Sequence, residues 1–154
     1  MPLWVITKTF PFYPSKQVWT QMNQLEVCEI FYSLQGESSY MGMPCVFIRL
    51  SGCNLRCSWC DTQYSYAKGE SCALESIIEQ VEQYPCKLVE LTGGEPLWQD
   101  HSIPLMDMLL ERGFTVLLET NGSLYLEAVP KAVVKIVDVK CPGSGVSDSF
   151  MLVE

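Results

Sequence analysis

Apolar positions along this chain recur with two different spacings from Leu25 onward. Short runs rich in β-branched residues alternate with segments in which apolar residues fall three and four positions apart, as on one face of a helix. Chains with this alternation fold into α/β structures, in which helices join parallel strands. The pattern therefore predicts an α/β protein with a mostly parallel sheet.

The predicted elements follow this order along the chain. One helix carries apolar residues at helical spacing from Leu74 to Val81, with Ser71 as its N-cap, and a second covers residues 104–112. A short third helix is expected to end at Pro130. The predicted strands are residues 25–32, 45–51, 87–92, 114–118 and 133–137.

From residue 45 onward, each predicted strand runs into a loop rich in glycine, cysteine or charge. Parallel strands joined by right-handed crossovers place such loops at one edge of the sheet, where α/β enzymes build their sites. We therefore expect a single pocket that combines four loops, at residues 52–62, 93–96, 119–122 and 138–140.

Residues 1–21 show neither the helical nor the alternating spacing of apolar residues. They contain Pro2, Pro11 and Pro14 among aromatic residues. We expect them to be an atypical N-terminal extension, followed by one domain over residues 22–154. With 154 residues, of which 48% are hydrophobic, the chain can bury the core of one such domain.

Charge and hydropathy argue against two classes of partner. The net charge of -8 has the wrong sign for a protein that binds nucleic acid by neutralising phosphates. No segment has the roughly 18 consecutive apolar residues of a membrane helix, and the N-terminus lacks a signal-peptide pattern. We expect a cytosolic protein that binds neither nucleic acid nor membrane.

Three of the eight cysteines, Cys53, Cys57 and Cys60, form a C-x3-C-x2-C motif on one loop. Three thiolates hold three irons of a cubane cluster and leave the fourth iron open to a small ligand. The alternative is a zinc site, which takes four protein ligands when it is structural. The remaining cysteines are expected to be small hydrophobic residues: Cys28, Cys45, Cys72, Cys86 and Cys141.

The cysteine motif followed by Gly-Gly-Glu-Pro at residues 93–96 resembles the radical S-adenosylmethionine (SAM) superfamily. That resemblance implies a partial (β/α) barrel, in which SAM chelates the open iron of a [4Fe–4S] cluster. Reduction of the cluster then cleaves SAM and yields a 5'-deoxyadenosyl radical.

Further segments are together very similar to the 7-carboxy-7-deazaguanine synthases, over about residues 22–145. That family converts 6-carboxy-5,6,7,8-tetrahydropterin into 7-carboxy-7-deazaguanine with loss of ammonia, on the pathway to queuosine. It uses SAM catalytically and needs Mg²⁺. The segments are residues 29–37, 47–50, 60–62, 91–96, 119–122 and 138–142.

The resemblance implies roles position by position. The cysteines at 53, 57 and 60 would bind the cluster, and Thr62 would bind Mg²⁺. Candidate SAM contacts are Trp59, Cys60, Asp61, Gly94, Asp138 and Lys140. Candidate substrate contacts are Leu34, Gln35, Gly36, Arg49 and Thr92. The resemblance also implies a homodimer and an electron donor such as flavodoxin.

Two of these roles agree with simple chemistry. Arg49 lies in an otherwise apolar strand, where a charge needs a carboxylate partner, either from the substrate or from the protein itself. Thr62 offers a hard oxygen, which suits Mg²⁺.

The chain departs from that family at two places. Ser38 stands where the family has glycine, and the resemblance stops at Glu154, where family members continue for several tens of residues. We therefore expect a C-terminally truncated member with an apolar sheet edge after residues 133–137. The alternatives are a glycyl-radical-enzyme activase and a non-catalytic remnant that binds a cluster or zinc.

Overall fold

A computed structural model of the protein describes residues 23–151. The predicted extension at residues 1–21 lies outside the described residues. Within them, one sheet has the strand order β3-β1-β2-β4-β5-β6. The strands are β1 (Gln24–Leu34), β2 (Pro44–Leu50), β3 (Glu70–Ala73), β4 (Leu88–Gly93), β5 (Thr115–Thr120) and β6 (Val134–Val137).

The sheet is mostly parallel, as predicted. Strands β2, β4, β5 and β6 run parallel to one another, whereas β1 pairs antiparallel with both β2 and β3. The sheet stays open, with β3 at one edge and β6 at the other. The four residues of β6 are half-buried, so the expected apolar edge is only partly exposed.

The two main helices are α1 (Leu74–Val81) and α2 (Ser102–Glu111), close to their predicted positions. Neither has the length and hydropathy of a helix that crosses a membrane. The prediction that Ser71 caps α1 is wrong, because Ser71 belongs to β3 and pairs there with Glu26. Its hydroxyl donates to Gln24 Oε1 at 2.8 Å, so it is not available to cap the helix.

The prediction of a short helix that ends at Pro130 is also wrong, because this segment forms turns and bends. Ser123 N–H donates to Asn121 Oδ1 at 2.9 Å, a local bond that competes with helix formation. Val129 is buried and its N–H donates to the Leu126 carbonyl. A segment of this length gains too few helical bonds to offset the cost of nucleation.

The two faces of the sheet have different roles. Side chains alternate along each strand, and one set packs with α1 and α2 in the main core. The other set forms a smaller cluster around Cys45, Phe47, Leu88 and Leu117, to which neither α1 nor α2 contributes. Polar residues continue this second face toward the carboxyl ends of the strands, namely Arg49, Glu90, Thr92 and Glu119.

Ser38 is the one non-glycine residue with a positive φ in the described part of the chain, at 61°. It lies in the loop between β1 and β2, where the resemblance to the synthase family implies glycine. Side chains other than glycine adopt this conformation at an energetic cost. The departure at Ser38 therefore places backbone strain in this loop.

Ile78 tests the contribution of α1 to the main core. It is fully buried, so Ile78→Ala should lower the free energy of unfolding by about 3 kcal/mol through lost burial and a residual cavity. Urea unfolding measures this change. The neighbouring exposed residue provides the control, and Glu79→Ala should leave the midpoint within error. Equal midpoints for the two variants would contradict the packing described for α1.

Candidate active site

A cavity of about 360 Å³ opens at the carboxyl ends of the parallel strands. It combines the four loops that the topology predicts, those after β2, β4, β5 and β6. Residues from these loops that line it include Cys53, Cys57, Cys60, Gly93, Gly94, Glu119, Asn121, Asp138 and Lys140. One concave site therefore collects residues that are almost ninety positions apart.

Hydrogen bonds from Glu95 join three of these loops. It is fully buried, and its backbone N–H donates to the Gly52 carbonyl at the start of the cysteine loop, at 2.9 Å. Its carboxylate accepts from Thr120 Oγ1 at 2.9 Å and from Asn121 N–H at 2.8 Å. Burial raises the pKa of Glu95, while these donors oppose that shift.

The glycines before Glu95 allow the backbones to approach closely. Gly93 has φ of 139°, and a Cβ there would clash with the Leu50 backbone. A Cβ at Gly94 would clash with the Gly52 carbonyl and lie 2.9 Å from Cys53 Cβ. A side chain at either position would displace the backbone that leads into the cysteine loop.

Two of the three cysteine thiols, those of Cys53 and Cys60, have polar neighbours that suit a bound cluster. Cys53 Sγ accepts from Leu55 N–H at 3.4 Å and from Asn121 Nδ2 at 3.8 Å. The neighbouring Cys60 thiol and burial raise the pKa of Tyr66 to about 12, and its protonated hydroxyl can donate to that thiol. Donors of this kind stabilise cluster-bound thiolates.

No three His, Cys, Asp or Glu side chains converge on a single point among residues 23–151. A cubane does not need such convergence, because each thiolate binds a different iron. Because Cys53, Cys57 and Cys60 all line the larger cavity, the donor set fits a [4Fe–4S] cluster with three protein ligands.

The other cysteines take several environments. Cys45 is fully buried, and burial raises the pKa of its thiol to about 12, as expected for a small hydrophobic residue. Cys28, Cys72 and Cys86 are half-buried. Cys141 is exposed, so the expectation of a buried thiol is wrong at that position.

Arg49 finds its carboxylate partner within the protein. Its Nε donates to Glu29 Oε1 at 2.8 Å, across the β1–β2 pair. The Tyr64 hydroxyl donates to the same oxygen at 2.9 Å. Arg49 also lines the cavity, with 18% of its side chain exposed.

Two polar pairs lie at the rim of the cavity. The Thr62 hydroxyl donates to Asp61 Oδ1 at 2.8 Å, and both residues line the cavity. Lys140 forms an ion pair with Asp138. Burial alone would lower the pKa of Lys140, but the contact with Asp138 more than offsets it.

A second cavity of about 180 Å³ adjoins the first. Gln35 and Gly36 line it, and Glu37 and Glu119 line both cavities. Thr92 lines only the larger one and donates from its hydroxyl to Glu119 Oε2 at 2.6 Å. The candidate substrate contacts Gln35, Arg49 and Thr92 therefore lie on two connected cavities.

Two predicted contacts lie away from both cavities. Leu34 ends β1 and is 63% exposed. Trp59 is 59% exposed, and its ring lies beside Gly143, where a Cβ would come within 2.7 Å of Cη2.

Sequence reasoning assigned no role to several residues that line these cavities. Glu90 had a recognisable signal, because it is a charged residue within an apolar strand, as is Arg49. Glu37 and Glu119 lay in segments already singled out for their similarity. Tyr66 had no signal, because its contact with Cys60 depends on how residues 63–66 turn.

Comparisons with known proteins agree with this geometry. The model of the radical SAM superfamily matches residues 47–140. The chain is 50% identical over 130 residues to a 7-carboxy-7-deazaguanine synthase of Koribacter versatilis and 44% identical over 124 residues to one of Chlorobaculum tepidum. These matches cover 83% and 80% of this chain but only 58% and 56% of the relatives. The chain therefore spans little more than half of their length.

The fold is similar to that in the crystal structure of QueE from Escherichia coli. The TM-score is 0.70 at 29% sequence identity, and the match covers 81% of this chain and 65% of that one. The predicted fold class, an incomplete barrel with a mostly parallel sheet, is thereby confirmed.

Gly94→Ala tests the close approach of the two loops. The added methyl group would push the Gly52 carbonyl and Cys53 away from β4. This displacement should lower the free energy of unfolding by about 1–3 kcal/mol. We expect the variant to retain less iron per chain than the wild type after anaerobic reconstitution, measured by iron analysis. Gly36→Ala is the matched control, because a Cβ there meets nothing within 4 Å. Equal iron content in both variants would contradict the described contact.

Proposed function

The chain belongs to the radical SAM superfamily, and on that premise we propose that it acts as a 7-carboxy-7-deazaguanine synthase. It would convert 6-carboxy-5,6,7,8-tetrahydropterin into 7-carboxy-7-deazaguanine with loss of ammonia. Membership of the superfamily implies a [4Fe–4S] cluster and SAM. The named relatives favour this synthase over a glycyl-radical-enzyme activase.

One observation carries the proposal: the three thiols of the cysteine motif line the same cavity as Gly94, Arg49 and Thr92. When bound, the cluster and SAM would supply a carbon radical that removes a hydrogen atom from the substrate. The chain's own contribution is to bind and orient. Cys53, Cys57 and Cys60 would hold the cluster, while Trp59, Cys60, Asp61, Gly94, Asp138 and Lys140 are the proposed SAM contacts.

The substrate side of the site follows from charge and shape. The guanidinium of Arg49 is held in place by Glu29 through Nε, which leaves its other nitrogens available to a carboxylate. A carboxylated pterin provides that group. Thr92 and Gln35 are proposed to contact the ring, with Gly36 and Leu34 as further candidates from the sequence comparison.

Mg²⁺ is proposed to bind at Thr62. The hydroxyl of Thr62 and the carboxylate of Asp61 offer hard oxygens at the rim of the cavity. Mg²⁺ accepts one or two such ligands and keeps water or substrate oxygens in its other positions.

Three further properties remain proposals from the resemblance. They are a homodimeric assembly, an electron donor of the flavodoxin type and a cytosolic location.

An anaerobic assay with the full chain tests the proposed function. The reconstituted protein should bind about four irons per chain. Incubated with SAM, dithionite, Mg²⁺ and 6-carboxytetrahydropterin, it should form 7-carboxy-7-deazaguanine, detected by mass spectrometry. Cys57→Ala should lose both the cluster and the product, because one of three anchoring thiolates is missing.

Cys72→Ala is the matched control, since Cys72 lies on the edge strand β3 and outside the cavity. It should keep both cluster and product. Stoichiometric zinc without iron uptake would overturn the enzyme proposal. If 5'-deoxyadenosine forms without the deazaguanine, the protein cleaves SAM but does not convert this pterin, and the proposed substrate is wrong.

A further inference from the structure

Glu90 is a carboxylate buried in the middle of β4. It is 3% exposed, and the residues before and after it in the strand, Val89 and Leu91, are fully buried. In the sheet it lies beside Phe47 of β2 and Leu117 of β5. Water cannot solvate a charge in this position, so Glu90 depends on hydrogen-bond partners from the protein.

Its first partner is Gln35, which is also 3% exposed. Gln35 Nε2 donates to the Glu90 carboxyl group. At its other end, Gln35 Oε1 accepts from the Glu37 backbone N–H at 2.9 Å. Glu90 therefore fixes the loop that carries Glu37 into both cavities.

Its second neighbour is Glu119 on β5, which lines the same small cavity and lies two residues after Leu117, the strand partner of Glu90. Glu119 Oε2 also accepts from the Thr92 hydroxyl at 2.6 Å. Two ionised carboxylates are acceptors only and cannot hydrogen-bond to each other. A hydrogen bond between Glu90 and Glu119 therefore needs one proton on the pair.

The charged and titratable groups that face Glu90 make this proton stable on the pair. They are Glu119 from β5, Glu37 from the loop after β1 and the Cys45 thiol from β2. In the described part of the chain, no Lys, Arg or His lines the small cavity that Glu90 borders, whereas Lys140 shares the larger cavity with Glu119. Burial and the neighbouring Glu119 raise the pKa of Glu90 to about 8, although the Gln35 donor opposes the shift.

We propose that Glu90 is a positioning residue that shares one proton with Glu119 and so joins Gln35 and Thr92 across the wall between the two cavities. The protonated carboxyl group donates to Glu119 and accepts from Gln35. The effect on substrate binding rests on the proposed function, whereas the shared proton does not.

Unfolding measured against pH tests the shared proton without any catalysis. The folded protein keeps a proton on Glu90 between pH 4.5, its ordinary pKa, and about 8. The stability that this proton confers is fully present below the lower value and is lost as the pH rises through the upper one. Glu90→Gln carries no such proton. The difference between its melting temperature and that of the wild type should therefore shift in favour of the variant from pH 5 to pH 8, and stay constant at higher pH.

Glu79→Gln removes an exposed carboxylate from α1 and controls for the change in net charge. A Glu90→Gln variant whose pH dependence matches that of the wild type would overturn the proposal. Infrared spectroscopy of the wild type gives a check that needs no variant. The band of a neutral carboxyl group should be present at pH 6 and lost by pH 9, and its absence at pH 6 would equally overturn the proposal.

The positioning role has a separate readout in the enzyme assay. Glu90→Gln can accept from Gln35 and donate to Glu119, so it should keep the wild-type KM for the pterin at pH 7 and lose the rise in KM above pH 8. Glu90→Ala should raise KM at every pH and change kcat less. An equal loss in both variants would refute the positioning role, whereas a wild type without product would refute the proposed function alone.

Discussion

The site depends on Glu95, a buried residue whose backbone N–H and carboxylate together join three loops. Its backbone N–H holds Gly52 at the start of the cysteine loop, and its side chain accepts from Thr120 and Asn121. Each of these groups, if left buried without a partner, costs about 1–3 kcal/mol. Asn121 in turn reaches Cys53 Sγ, so the same set of bonds extends to the first thiol of the cysteine motif.

The alternation of side chains along the strands explains how so short a chain builds both a core and a site. In β2, Val46, Ile48 and Leu50 pack toward the helices, while Arg49 points to the opposite face. The same strands therefore carry the apolar side chains that stabilise the sheet and the polar ones that line the cavities. A shift of one residue in strand register would exchange the two sets.

The main strands and the joint position of the four loops could be predicted because hydrophobic spacing and strand topology determine them. β3 could not, because a strand of four residues with Glu70 and Ser71 has no apolar period and forms by pairing with β1. Arg49 was expected to need a carboxylate, but only the β1–β2 register identifies Glu29 as that partner. Contacts such as Tyr66 with Cys60 depend on loop geometry that no local pattern specifies.

The proposed function requires the cysteine motif to hold a cluster with one iron open to SAM. Electron paramagnetic resonance of the anaerobically reconstituted and reduced protein tests it most directly. A cluster with an open iron should give a spectrum whose g values change when SAM is added, because SAM then becomes a ligand of that iron. A spectrum that is the same with and without SAM would contradict the account.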